Sequence, residues 1–391
     1  LRVSSDEVAD VNRILARVPS TRAASIAPYH EGAPDILVVD MPWRERAREE
    51  AARAGWTLVD LEADGPCPDG TLAVVDDRTV FTAETLNALR DASETSPHRA
   101  GLLAGTALSE RLTPFSPFRA GRDGTLPIGL VAGPKGRVSR ALLDDHTLPV
   151  IAVCDEPGVR VERVAPFGHA PFTLALPDVT RLGGTLMHWL HVLEVNVAFL
   201  HTLRRRRGAV GKKNVKEKGA RIHGTAHVAG TLLGAGAEIE AGASVIDSYI
   251  GPGVKIAAHS VVVGSVIGQG CHTLIDTHLR RVVAFPGSTL SNVGTTDALF
   301  GREIFITTGV QFFAGEPGRT VVVEGVDTGR PVLSGAIGHK TILGARALFQ
   351  AGVAVPSGSV IVMRPDEGAT KLDERGLARA SMMRGDPSVD Y

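Results

Sequence analysis

Six histidines fall between residues 219 and 365: His223, His227, His259, His272, His278 and His339. Imidazole ordinarily titrates near neutrality, which suits it to take a proton from an attacking amine or hydroxyl. His278 follows Asp276 closely enough for that carboxylate to orient an imidazole. Two other sets stand out in the first half. Asp76-Asp77 closes an apolar run, and Gly133-Pro134-Lys135-Gly136-Arg137 combines glycine with two cations. No Ser-His-Asp order, HExxH or P-loop pattern competes with these groups. Cys67, Cys154 and Cys271 lie far apart without a CxxC pair, which excludes a zinc ribbon or thioredoxin-like site. So sparse a count fits buried, inert thiols in a reducing compartment.

The elements that must position these groups are set by composition and periodicity. In 391 residues, 43% are hydrophobic and 22% charged, with a formal net charge of -1. That is a globular composition; it excludes disorder as the main state and a dedicated nucleic-acid binder. No run of about 18 apolar residues offers a membrane span. The sequence begins at Leu1 and shows no charged-then-apolar signal pattern, so the expected location is cytoplasmic. The 44 glycines, about 11% against a usual ~7%, demand a structural reason.

Residues 1–180 read as α/β. The run Ile36-Leu37-Val38-Val39 precedes a helical stretch from Trp43 to Gly55, and Trp56 to Leu61 follows as a further strand. Leu72-Ala73-Val74-Val75 leads through the Asp76-Asp77-Arg78 turn to a helix opened by Thr82. Ile128 to Val131 and Val150 to Val153 add buried strands. Strands alternating with helices predict a mostly parallel sheet. Over 182–207, Leu186, Leu190, Leu193, Val197 and Leu200 mark one apolar face of a linker helix. It ends in Arg204 to Arg207 and Gly208, read as a solvated helix end and connector.

From 219 the period changes. Ile222, Ile239 and Ile256 are 17 apart, as are Val228 with Val245 and Leu233 with Ile250. Aliphatic residues thus recur every five or six positions, and three such steps make one turn. Stacked turns align those positions into interior ladders, as in a solenoid. Glycine and alanine occupy the tight corners, which accounts for the glycine excess. The repeat is irregular over 280–334, resumes at Ile337 and closes near Val362; 366–391 is a charged tail.

These residues resemble the hexapeptide-repeat, left-handed parallel β-helix proteins. More narrowly, 182–365 is similar to the sugar-1-phosphate nucleotidyltransferases with a C-terminal β-helix, which include bifunctional UDP-N-acetylglucosamine pyrophosphorylase/acetyltransferases. Trp189-Leu190 with Leu193-Glu194-Val195-Asn196 is similar to that family's Trp-Asp-Leu-Leu-x-x-Asn linker. Gly329-Arg330, Gly335 to His339, Gln350 to Val353 and Val355 to Gly358 extend the likeness. The resemblance implies a nucleotidyltransferase-like α/β domain over 1–180, a linker helix over 182–207 and a left-handed β-helix over 219–365. It also implies a homotrimer joined through flat β-helix faces.

By the same match, Asp76 or Asp77 would hold Mg²⁺ against phosphate oxygens. The family's Gly-x-Gly-Thr-Arg loop has no counterpart here. Lys135 and Arg137 are the phosphate-binding candidates, although their segment stands elsewhere in the order, so the α/β domain reads as degenerate. In the β-helix the resemblance implies an acyl-CoA co-substrate in the groove between subunits, with His259, His272 or His278 moving the proton. Two readings follow. One is a transferase acting on a sugar phosphate or nucleotide sugar, by nucleotidyl or acyl transfer. The other is a non-catalytic trimer serving assembly or nucleotide-sugar sensing. Neither involves nucleic acid or a membrane.

Overall fold

A computed structural model describes residues 13–20, 25–62, 64–103, 106–122, 125–154, 160–164, 172–176, 180–291, 293–316 and 318–362. The segment expected as a charged tail, 366–391, lies outside them. The first half is built on a six-stranded sheet in the order Trp56–Asp60, Arg13–Val18, Thr71–Asp76, Leu126–Ala132, His98–Leu102, Val150–Cys154. Three of its pairings are parallel. Leu126–Ala132 runs antiparallel to both neighbours, so the sheet is mostly parallel with one reversed strand. Helices α1 (Trp43–Arg53), α2 (Ala83–Ala92) and α3 (Ala107–Leu112) accompany it. Among the described residues, no helix is long and apolar enough to cross a membrane.

The second half is a stack of parallel turns with three short strands in each. Leu232–Leu233, Glu238–Ile239 and Ser244–Ile246 make one turn, and each pairs in parallel with the strand 17 residues on. The ladders expected from the sequence are therefore present. Ile239, Ile256, Leu290, Ile306 and Leu343 are all buried, as are Leu233, Ile250, Ile267, Phe300 and Ile337. Over 280–334 the irregularity has two parts. One turn is a residue short, with His278 opposite Gly294. The next strand is then reached only after an excursion, so that Ala298 pairs with Gly335. That excursion carries the hairpin Val322–Val323 with Val326–Asp327.

Helix α4 (Trp189–Arg207) joins the halves. The helix expected from 182 begins later because Gly183–Thr185 pairs as a strand with Thr79–Phe81. It is buried on nearly every side rather than along one face. Its Asn196 accepts from the Val39 N–H at 2.7 Å and donates to the Leu37 carbonyl at 2.9 Å. The basic end, expected to be solvated, is largely paired. Arg206 reaches Glu50 and Glu84, and Arg204 meets the Gly230 carbonyl and Asp247. Gly208 stops the helix at φ 77°, a conformation glycine adopts freely.

One corner of the stack explains how α4 lies. Gly230, Asp247, Gly264, Arg281 and Asp297 occupy equivalent corner positions and all have left-handed backbone. Arg204 contacts the first two of these, and Glu194 contacts Arg281 at 2.7 Å. Ten helical residues rise ~15 Å, close to the roughly 14 Å of three strand-to-strand steps. The helix thus runs down the corner against the direction of stacking. A second corner is covered by the segment around Tyr29 to Asp40. There the Gln269 N–H donates to Asp40, the Arg302 N–H to His339 Nδ1 and the His339 N–H to Ser357. The Ala235 N–H donates to Glu217, whereas Pro252 and Pro286 carry no N–H to satisfy.

Candidate functional site

Asp76 ends strand Thr71–Asp76, and Asp77 opens the turn into Thr79–Phe81. An Asp76 carboxylate oxygen accepts from the Arg78 N–H at 2.9 Å. Burial pushes its carboxyl up to about 6, with repulsion from Asp77 and Asp144 adding to the rise. Burial also raises Asp77, whose Oδ1 is buried without a hydrogen-bond partner among the described residues. An orphaned carboxylate oxygen has the chemistry to meet a hard cation, so Asp77, or Asp76 beside it, is where the sequence resemblance would put Mg²⁺. Among the described residues no group of three or more His, Cys, Asp or Glu gathers to bind a metal.

Lys135 and Arg137 are exposed in the turn after Leu126–Ala132. That turn lies beside the start of Thr71–Asp76, because the Gly133 N–H donates to the Leu72 carbonyl at 3.0 Å. Four residues at ~3.3 Å each put about 13 Å of strand between Leu72 and Asp76. The candidate carboxylates and candidate phosphate-gripping cations therefore stand at opposite ends of the sheet.

The three candidate histidines surround one corner of the stacked turns. His259 sits at the corner with φ 59°, and Asp276 occupies the same corner one turn later with φ 61°. The two backbones are ~4.8 Å apart, the spacing of adjacent strands. His259 leans onto the preceding turn: a Cβ on Gly242 would lie 2.6 Å from its Nδ1, so only glycine leaves room for the ring. It leans away from Asp276. His272 precedes the corner on strand His272–Thr273, and His278 follows it at the start of His278–Ala284. All three are exposed. Between them Leu274 and Ile275 are 46% and 56% exposed, an apolar patch set among groups that can move protons.

His339 is a different case. Its Nδ1 accepts from the Arg302 N–H, its Nε2 lies 3.2 Å from Glu31, and its ring packs against Tyr29. Burial lowers its pKa to about 4, so it is a neutral clamp in the seam. Cys271 is buried and its thiol is pushed up to about 12, which leaves it unreactive. Sequence reasoning missed one charged cluster entirely. Glu194, within the linker motif, is wholly buried and meets Arg111 at 3.1 Å, Arg281 at 2.7 Å and Arg330 at 2.8 Å. The only signal was a glutamate on the face of a helix otherwise read as apolar.

No family model matches the chain, and no curated protein does. Among solved structures, the chain is similar over part of its length to PerB from Caulobacter crescentus, determined in complex with CoA and GDP-perosamine. The sequence identity is 20% and the TM-score 0.16; the match covers 42% of this chain and 60% of PerB. The match thus spans less than two thirds of that protein.

Proposed function

We propose that the chain is an acyltransferase acting on an amino group, or a hydroxyl, of a sugar phosphate or nucleotide sugar, with acyl-CoA as donor. In this reading the stacked turns form a left-handed β-helix, as the sequence resemblance implies, and three copies associate through flat faces. The observation that carries the reading is the corner where His259, His272 and His278 surround the exposed Leu274 and Ile275. An apolar patch among imidazoles suits a thioester whose acyl group needs a dry surface while a proton is moved. The amine nitrogen attacks the thioester carbonyl; a C–N bond forms and the C–S bond breaks. One histidine takes the proton from nitrogen and a proton passes to the departing sulfur, giving the N-acyl sugar and free CoA. Nucleotidyl transfer is the weaker alternative, since Lys135 and Arg137 stand at the other end of the sheet from Asp76 and Asp77.

Thiol release from acetyl-CoA, followed with amino-sugar phosphates and nucleotide sugars, tests the proposal. Alanine at the histidine acting as base should lower kcat by roughly 10²–10⁴-fold. The other two substitutions should cost about tenfold or less. If no acceptor of this class releases thiol, or if all three variants retain the wild-type rate, the non-catalytic trimer replaces this reading.

A further inference from the structure

Beneath the hairpin excursion, unmet hydrogen-bond donors gather around the start of α4. His188 caps the helix: its Nδ1 accepts from the Leu190 N–H at 3.3 Å. Burial lowers its pKa to about 4, with Arg330 repelling the proton further, so the ring is neutral and its one proton resides on Nε2. His191 follows the same logic; Nδ1 accepts from the Met187 N–H, and Nε2 donates to the Pro114 carbonyl at 2.6 Å. For His191 both nitrogens are satisfied. For His188 the Nε2–H is buried and lacks a hydrogen-bond partner among the described residues, with Glu324 standing 3.7 Å away.

Two further donors share this condition. Trp189 Nε1 is buried without a hydrogen-bond partner among the described residues, beside the His188 ring. Arg330 Nε is likewise unmet, and its side chain is only 7% exposed. Arg330 shares Glu194 with Arg111 and Arg281, and of the three Arg281 alone is also paired with Asp297 at 2.6 Å among the described residues. A buried donor without an acceptor costs roughly 1–3 kcal/mol. All three unmet groups are donors and none is an acceptor. The start of α4 adds its own positive end, with no acidic residue in the first turn. Phe115, held at φ 63°, stacks on His188 at 3.9 Å and fixes the ring.

From this convergence we infer that the chain binds a small oxyanion, of phosphate or carboxylate size, between the start of α4, Arg330 and the hairpin. An oxyanion offers only acceptors and negative charge, which is what His188 Nε2, Trp189 Nε1 and Arg330 Nε require. Glu324, 60% exposed on the hairpin, stands 3.7 Å from His188 Nε2, and its carboxylate competes with the ligand there.

Thermal unfolding of the full chain, with inorganic phosphate titrated against chloride at constant ionic strength, tests the inference. The midpoint should rise saturably by several degrees, because an anion bound only by the folded state stabilises it. Arg330→Gln should abolish the rise, and His188→Asn serves if that variant does not fold. Glu324→Gln, on the exposed hairpin, should retain the rise and shift it to lower phosphate concentration. A hexose 1-phosphate acting at lower concentration than phosphate would identify the anion as a sugar's phosphoryl group; equal action would identify the free ion. No saturable rise in the wild type, or an undiminished rise in Arg330→Gln, overturns the inference. The readout involves no acyl transfer and is independent of the function proposed above.

Discussion

Asp40 combines two unfavourable features, a left-handed backbone at φ 65° following Val39 at 47°, and a carboxylate turned into the seam between the halves. It lies over Gly251 and Gly268, whose missing side chains admit it, and accepts from the Gln269 N–H at 3.0 Å. Burial raises its pKa from 3.8 to about 6, although the hydrogen bonds from Gln269 and Tyr249 pull the other way. Between about pH 4 and pH 6 the folded chain therefore keeps a proton that the unfolded chain releases. Stability falls as pH rises through that window and stays lower above it. Asp76, also raised to about 6, acts in the same direction. Asp40→Asn should shrink the stability difference between pH 4.5 and pH 7.5 by on the order of 1–3 kcal/mol in urea unfolding. An unchanged difference would show that Asp40 meets water in both states. Nothing near Asp40 in sequence signals any of this, because Gln269 and Tyr249 are more than two hundred residues away.

Among the elements, the stacked turns were the most legible, since their spacing reflects contacts that repeat at a fixed interval along the chain. Helix α4 was legible as a helix but not as a buried one. Glu194, Asn196 and Arg204 read as polar until Arg281, Leu37 and Asp247 satisfy them from distant segments. The irregular stretch over 280–334 hid an excursion, because a hairpin that leaves the stack and returns erases the period without erasing the turns. Two glycines show what a corner demands. A Cβ on Gly338 would lie 2.3 Å from the Ser357 nitrogen of the next turn, whereas one on Gly253, at φ 65°, meets nothing within 4 Å. Gly253→Ala should cost only the left-handed strain, about 1–2 kcal/mol. Gly338→Ala must separate two turns and should cost roughly 3 kcal/mol. Paired melting curves check the order; equal drops in Tm would mean that the turns are not closely stacked at that corner.

At the scale of the molecule, the halves share one core: Trp189, Leu193 and Phe199 of α4 cluster with Leu86 of the first half and Phe285 and Leu299 of the stack. The interior of the turns forms a second cluster. With both interiors filled, some apolar side chains remain on the outside of the stack. On the eight-stranded face one outward column changes character along its length. Arg221, Glu238, Lys255 and His272 give way to Thr289 and then to Phe305, Ile342 and Val360, which are 46%, 40% and 37% exposed. Three exposed apolar side chains stacked at strand spacing form a stripe that water does not favour. The charged end of the same column pairs within the chain, Arg221 and Lys255 both reaching Glu238. In the trimer proposed above this stripe would be covered, and light scattering should give three times the 41.1 kDa chain mass. Phe305→Lys combined with Ile342→Lys should reduce it to a single chain that remains folded, since neither core cluster includes either residue. Thiol release should fall in that variant, because a groove between subunits cannot form on one chain. A wild-type mass of one chain would remove the groove from the mechanism and leave the histidine corner to act alone or not at all.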